Sequence, residues 1–201
     1  MQAGVPGLHP DPPRDLAGRD LPIRSFHIHW YRVYRCARDP KFFGQTGKFR
    51  FDAPAAEYGV LYIARSREGA FIETFGSVVQ VQSGRNYLDE QTVDERCWGR
   101  VMSSRPLRLI DLTGKGLASI GADERLCAGE YVVSQRWSKA IWEHPEAPDG
   151  LYYRARHDPS QYSVALFDRA DDAIAIDAEG SVGANAHLLA RILRRYSIAL
   201  I

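Results

Sequence analysis

The chain has 201 residues, of which 45% are hydrophobic and 11% aromatic, enough apolar material for one core but cramped for two full domains. The formal net charge is +1 and no Lys/Arg tract occurs, which argues against sequence-independent nucleic-acid binding, an affinity that comes mainly from phosphate neutralisation. Among the 26 basic residues only Lys41, Lys48, Lys115 and Lys139 are lysines. The arginines suit planar recognition of phosphate and carboxylate, although GC-rich coding accounts for the bulk of them. Cys36, Cys97 and Cys127 are odd in number, widely spaced and free of any C-x-x-C pattern, so neither a disulfide framework nor a zinc knuckle is expected. That cysteine usage predicts a reducing, cytoplasmic setting, and a soluble protein is expected because the first residues lack a signal-peptide pattern and no apolar run reaches membrane-spanning length.

Residues 1–22 are rich in Pro, Gly and Asp and have no apolar period, which predicts an extended arm ahead of a single domain over 23–201. Alternation of Phe26, Ile28 and Trp30 with His27, His29 and Tyr31 predicts a strand over 25–34. A loop carrying Pro40, Gly44 and Gly47 follows, and then a buried strand over 58–64. Apolar residues at Ala70, Phe71, Phe75 and Val78 predict an amphipathic helix over 68–79, with Glu73 on a different face from Phe71 and Phe75. Later strands are expected at 99–103, 107–112, 151–154, 163–167 and 173–176, and helices at 130–143 and 185–195. Many strands without regular βαβ alternation predict an α+β domain of mixed sheets with flanking helices.

Arg32 and Arg35 lie three residues apart in a strand and so point to opposite faces and cannot both serve one site; Arg35 is read as structural, and Arg32, followed by a glycine-bearing loop and then Lys48 and Arg50, as a phosphate clamp, the alternative being stacking and surface packing. Lys48 and Arg50 share a face if the segment 47–52 is extended, and they would line an anion-attracting groove; the alternative is a basic edge strand. No P-loop and no G-x-G-x-x-G occurs, so a dinucleotide would bind without a Rossmann helix. Tyr62 and Glu73, on a strand and the helix after it, could border one cleft, the ring stacking a nicotinamide and the carboxylate accepting a ribose hydroxyl. His27 and His29 form an H-x-H with no further ligand nearby, so a surface role is expected and no metal.

The ordered series of Y-R-V at Arg32, R-F-D at 50–52, G-V-L-Y-I-A with Tyr62, A-F-I-E with Glu73, D-G-L-Y-Y-R-A-R at 149–156 and A-L-F-D-R at 165–169 resembles the RES family, the toxin components of bacterial Xre/RES-type toxin–antitoxin pairs. The resemblance implies an ADP-ribosyltransferase-like fold that takes NAD as substrate and cleaves its nicotinamide–ribose bond, as a glycohydrolase or phosphorylase or as a glycosyltransferase passing ADP-ribose to a protein target. By position, Arg32, Tyr62 and Glu73 look like the catalytic set, and Arg32, Lys48, Arg50, Tyr62 and Arg156 like the NAD-binding set, with no metal. The resemblance also implies a helix-turn-helix antitoxin as partner, with no direct nucleic-acid or membrane binding. The sequence departs from the pattern where the family has a serine before Arg156; Ala155 stands there, and Ser138 and Ser163 are the candidate substitutes. The rival reading is a nucleotide-binding or protein-interaction module without turnover.

Overall fold

A computed structural model of the chain describes residues 9–201. Its strands are β1 (Ile23–Phe26), β2 (His29–Arg35), β3 (Val60–Ala64), β4 (Gln80–Gln82), β5 (Arg85–Leu88), β6 (Arg96–Ser103), β7 (Leu107–Leu112), β8 (Gly150–Arg154), β9 (Tyr162–Phe167), β10 (Ile174–Ser181) and β11 (Ile198–Leu200). The helices are α1 (Arg67–Phe75), α2 (Glu90–Asp94), α3 (Lys115–Ser119), α4 (Arg125–Ala128), α5 (Tyr131–Trp142) and α6 (Ala186–Arg195). Eight strands form one mixed sheet in the order β1-β7-β8-β9-β3-β2-β6-β10, and β11-β5-β4 form a second, small one. This is the expected α+β class, mixed sheets with helices packed on them.

The strand expected over 25–34 is two strands. The chain bends at 27–28, burying Ile28 and donating its N–H to Ser103 Oγ, so that β1 joins β7 while β2 joins β6 and β3. His27 therefore lies in the connection and only His29 in a strand. The helix expected over 68–79 stops at Phe75. Ser66 caps its start by accepting from Gly69 N–H, whereas beyond Gly76 the apolar stripe has nothing to cover, and Val78 is exposed. Gly150, in the D-G pair, is required by close approach: a Cβ there would stand 2.4 Å from the Ala165 carbonyl oxygen.

Alternation along the strands gives the large sheet two faces. One face, carrying Tyr31, Val33, Tyr62, Ala64, Trp98 and Tyr153, is covered in two separate halves. Over β8, β9 and the start of β3 lie α3, α4 and α5, with Leu117, Leu126, Trp137 and Ile141 in their core. Over β2 and β6 lie α1, α6 and the small sheet, with Phe71, Phe75, Leu189 and Ile192. The second face has its own core around Ile28, Trp30, Leu61 and Leu166.

The predicted arm falls partly on residues 1–8, which lie outside the described residues; the rest of it packs. Trp137 Nε1 donates to Pro10 O at 2.9 Å, His9 accepts from Asp123 N–H, and Leu16 and Leu21 are buried. The cysteine expectation is corrected as well. Cys36 follows β2, Cys97 lies in β6, and the pairing of those strands brings their Cα atoms to 5.0 Å and joins them in a disulfide, although 61 positions separate them in sequence. Cys127 is free and buried. Among the described residues no helix is long and apolar enough to cross a membrane.

Candidate active site

Strands β2 and β3 are joined at a single residue pair, Tyr31 with Ala64. Beyond it the two strands part, and the gap falls where the two helical halves covering the sheet also separate. A cavity of about 520 Å³ opens in this split, within the size range of small-ligand sites. All six residues singled out from the sequence border it: Arg32, Lys48, Arg50, Tyr62, Glu73 and Arg156.

Arg32 sits on the strand edge that the parting leaves without a neighbour. Opposite it, Gly99 leaves room for the aliphatic stem, since a Cβ there would be 3.3 Å from Arg32 Cγ. Its Nη1 donates to Pro40 O, its Nε is buried with no partner, and burial lowers its pKa to about 10, so it stays charged at neutral pH. Arg35 also borders the cavity. The alternation argument that excluded it holds for the strand but not for the site, because a cavity at an unpaired strand edge meets both faces.

The segment 47–52 is a turn and not an extended strand, so Lys48 and Arg50 do not share a face. Lys48 is exposed at the rim, while Arg50 is buried, with Nη1 donating to Gly129 O at 2.8 Å and the guanidinium over the Tyr131 ring. Asp52, 1% exposed, holds this turn. Its Oδ2 accepts from Thr46 Oγ1 and from the Lys48 and Phe49 amides, and its Oδ1 accepts from the Tyr62 hydroxyl at 3.0 Å. The Tyr62 hydroxyl also accepts from Phe51 N–H, and burial, reinforced by Asp52, pushes its pKa well up. With its hydroxyl committed, Tyr62 offers the cavity its ring. Phe49, 55% exposed, stands edge-on to that ring at the mouth.

Glu73 projects from α1 into the cavity, where its Oε1 accepts from Arg156 N–H at 2.9 Å. Burial raises its pKa, against the lowering effect of the Arg156 and His157 amides and of Arg50 and Arg156. The two candidate serines separate clearly. Ser138 donates to Phe51 O and accepts from the Tyr58 hydroxyl, away from the cavity. Ser163 stands in register with Tyr153 on the strand beside Ala155, borders the cavity at 2% exposure, and leaves its Oγ without a partner.

Among the described residues, six buried side-chain nitrogen or oxygen atoms have no hydrogen-bond partner, and four of them belong to residues that border this one cavity: Arg32 Nε, Arg50 Nη2, Arg96 Nη1 and Ser163 Oγ. Three are guanidinium donors. Leaving such groups unsatisfied is unfavourable, so the arrangement calls for an anionic, oxygen-rich ligand. A wider, more open depression near the start of α6 makes no such demand on its cations, since Arg67 already pairs with Glu179 and Arg191 with Glu68. Sequence reasoning missed Asp52, Phe49, Tyr153 and Arg96; the first three lie in or beside the motifs it used, but Arg96 enters only through the pairing of β6 with β2.

The protein named probable toxin y4kH, from Sinorhizobium fredii (strain NBRC 101917 / NGR234), is 29% identical over 99 residues, which span 49% of this chain and 77% of that one. A chain of the crystal structure of the M. tuberculosis MbcT–MbcA toxin–antitoxin complex has a similar fold, with a TM-score of 0.61 and 13% identity over 84% of this chain and 92% of its own. The RES domain family matches residues 29–188, which contain every cavity residue named above. The chain belongs to the RES family.

Proposed function

We propose that this protein is the toxin of a toxin–antitoxin pair and that it binds NAD in the β2–β3 split and breaks the bond between nicotinamide and ribose. The observation that carries this reading is the set of buried, unpartnered guanidinium donors around one cavity that also holds the half-buried carboxylate of Glu73. A pyrophosphate supplies acceptors for the donors, and the ribose supplies a hydroxyl for the carboxylate. The name of the Sinorhizobium relative and the complex containing the similar fold support the toxin role.

Nicotinamide in NAD is already a cationic leaving group, so bond breaking needs no strong acid. Positive charge develops on the ribose as it leaves. Glu73, its carboxylate held by the Arg156 amide, would accept a ribose hydroxyl and stabilise that charge. Arg32 Nε and Arg50 Nη2 would grip the pyrophosphate, with Lys48 at the rim and Arg156 beside Glu73. Fixing the sugar between these groups contributes through orientation. The Tyr62 ring, immobilised through Asp52, would form the wall against which nicotinamide packs. Ser163 Oγ would take the place of the serine absent at Ala155.

The acceptor is water, phosphate or a protein side chain, and labelled NAD given to a bacterial lysate separates these: one dominant labelled protein band means transfer, and label only in free ADP-ribose or its phosphate ester means NAD depletion. A helix-turn-helix antitoxin partner and a cytoplasmic setting belong to the same proposal, the setting resting on the toxin role and no longer on the cysteines, two of which are paired. The test is induced expression in bacteria with and without the protein encoded by the adjacent reading frame. Growth arrest with a fall in cellular NAD, relieved by the neighbour, is expected; a chain harmless alone and forming no complex overturns the toxin reading.

A further inference from the structure

The cavity extends beyond Arg32 to the ends of β2 and β6. There Arg35 and Arg96 are register partners, both border the cavity, and Arg38 borders it on the following turn. Two like charges directly opposite each other across paired strands destabilise that pairing. The strands are nonetheless fastened at this point, since Cys36 and Cys97, each adjacent to one of the two arginines, are disulfide-bonded. Arg96 Nη1 is buried without a hydrogen bond, its ion pair with Glu95 being long at 3.7 Å. Burial and then Arg35 lower the pKa of Arg96, against the raising effect of Glu95. Asp39, which also borders the cavity, accepts from Lys41 N–H and acts on Arg32.

Glu73 lies on α1 with its Oε1 on Arg156 N–H, whereas Arg35 and Arg96 stand at the paired ends of β2 and β6. A group held by the arginine pair is therefore not the acceptor that attacks the sugar beside Glu73. It is a remote part of the ligand. From Arg32 to Arg35 the strand advances about 10 Å, enough to pass from a pyrophosphate to the sugar next to it.

We propose that Arg35 and Arg96 bind a phosphate carried on the adenosine ribose, so that the protein prefers NADP to NAD. This inference rests on the dinucleotide reading of the cavity. Paired guanidinium groups match the oxygens of a phosphate dianion, whereas a ribose hydroxyl would leave two cations facing each other. The arginine pair thus determines specificity, while Glu73 and Arg32 serve both dinucleotides.

The test is nicotinamide release from NADP and from NAD by the disulfide-bonded protein, each measured with water alone, with inorganic phosphate and with bacterial lysate protein as acceptor. The expected result is a kcat/KM for NADP about tenfold or more above that for NAD, in keeping with a charge-assisted hydrogen-bonded contact. Joint replacement Arg35→Gln and Arg96→Gln should lower kcat/KM for NADP far more than for NAD and remove the preference. Release from NAD with no preference for NADP overturns this inference and leaves the dinucleotide reading standing. So does a double variant that loses both substrates equally. Release from neither dinucleotide overturns the reading and the inference together.

Discussion

Glu73 is held partly out of water at an energetic disadvantage: burial raises its pKa, so its proton binds more tightly in the folded protein than in the unfolded chain. The sign follows directly. Stability from this group is complete below the ordinary carboxylate range and is lost as pH rises through the raised value, so the ionised form opposes folding. Glu73→Gln should therefore lower nicotinamide release about a hundredfold or more while leaving the melting temperature at pH 7 unchanged or higher. Near-normal turnover, or a clear fall in melting temperature, contradicts the role given to Glu73. The same burial predicts that kcat/KM climbs as pH rises through an apparent pKa above that of an ordinary glutamate, which a pH–rate profile reads directly. Arg32 differs, because its pKa of about 10 keeps it charged throughout that range. Arg32→Lys retains the charge but removes Nε and the planar fork, so NAD affinity measured by calorimetry should fall about tenfold, and by more than for Arg35→Lys. An equal effect at the two positions would count against Arg32 as the pyrophosphate clamp.

The elements around the site were legible in the sequence to different degrees, for physical reasons. Apolar periodicity found α1, α5, α6, β3 and β7–β9 because each buries one face or both in a single core. It ran past the end of α1, since Val78 continues the helical spacing after Phe75 but is exposed. It missed β4, β5 and β11, which are short and have little apolar pattern, and it could not see the bend at 27–28 that splits β1 from β2. The turn 46–52 was misread because alternating cations look the same on a strand as on a turn. What shapes the turn is Asp52, whose Oδ2 takes two backbone amides and the Thr46 hydroxyl and whose Oδ1 takes the Tyr62 hydroxyl. Asp52→Ala should therefore destabilise the fold by about 1–3 kcal/mol or more in denaturant titration and weaken NAD binding as well, with Asp52→Asn milder in both. Loss of binding without loss of stability would show that Asp52 acts some other way.

At the scale of the whole molecule, the site exists because two strands separate and two helical layers fail to meet, and neither event is written in any local pattern. The six residues read from the sequence come together only because β2 and β3 are joined at Tyr31 and Ala64 alone. The Cys36–Cys97 disulfide is likewise a product of long-range pairing, which spacing counted along the chain could not anticipate. Across 61 positions, the chain-entropy model gives a stabilisation of about 4 kcal/mol, so reduction should lower the melting temperature markedly, and an unchanged melting curve in dithiothreitol would contradict it. The proposed activity is cleavage of a nicotinamide–ribose bond in the cavity of the split. The direct measurement is mass spectrometry of NAD incubated with the purified chain in the presence of inorganic phosphate and bacterial lysate protein as acceptors, beside the Glu73→Gln variant: free nicotinamide from the first and almost none from the second is the predicted result, and intact NAD with the wild-type chain, or equal release from both, contradicts it.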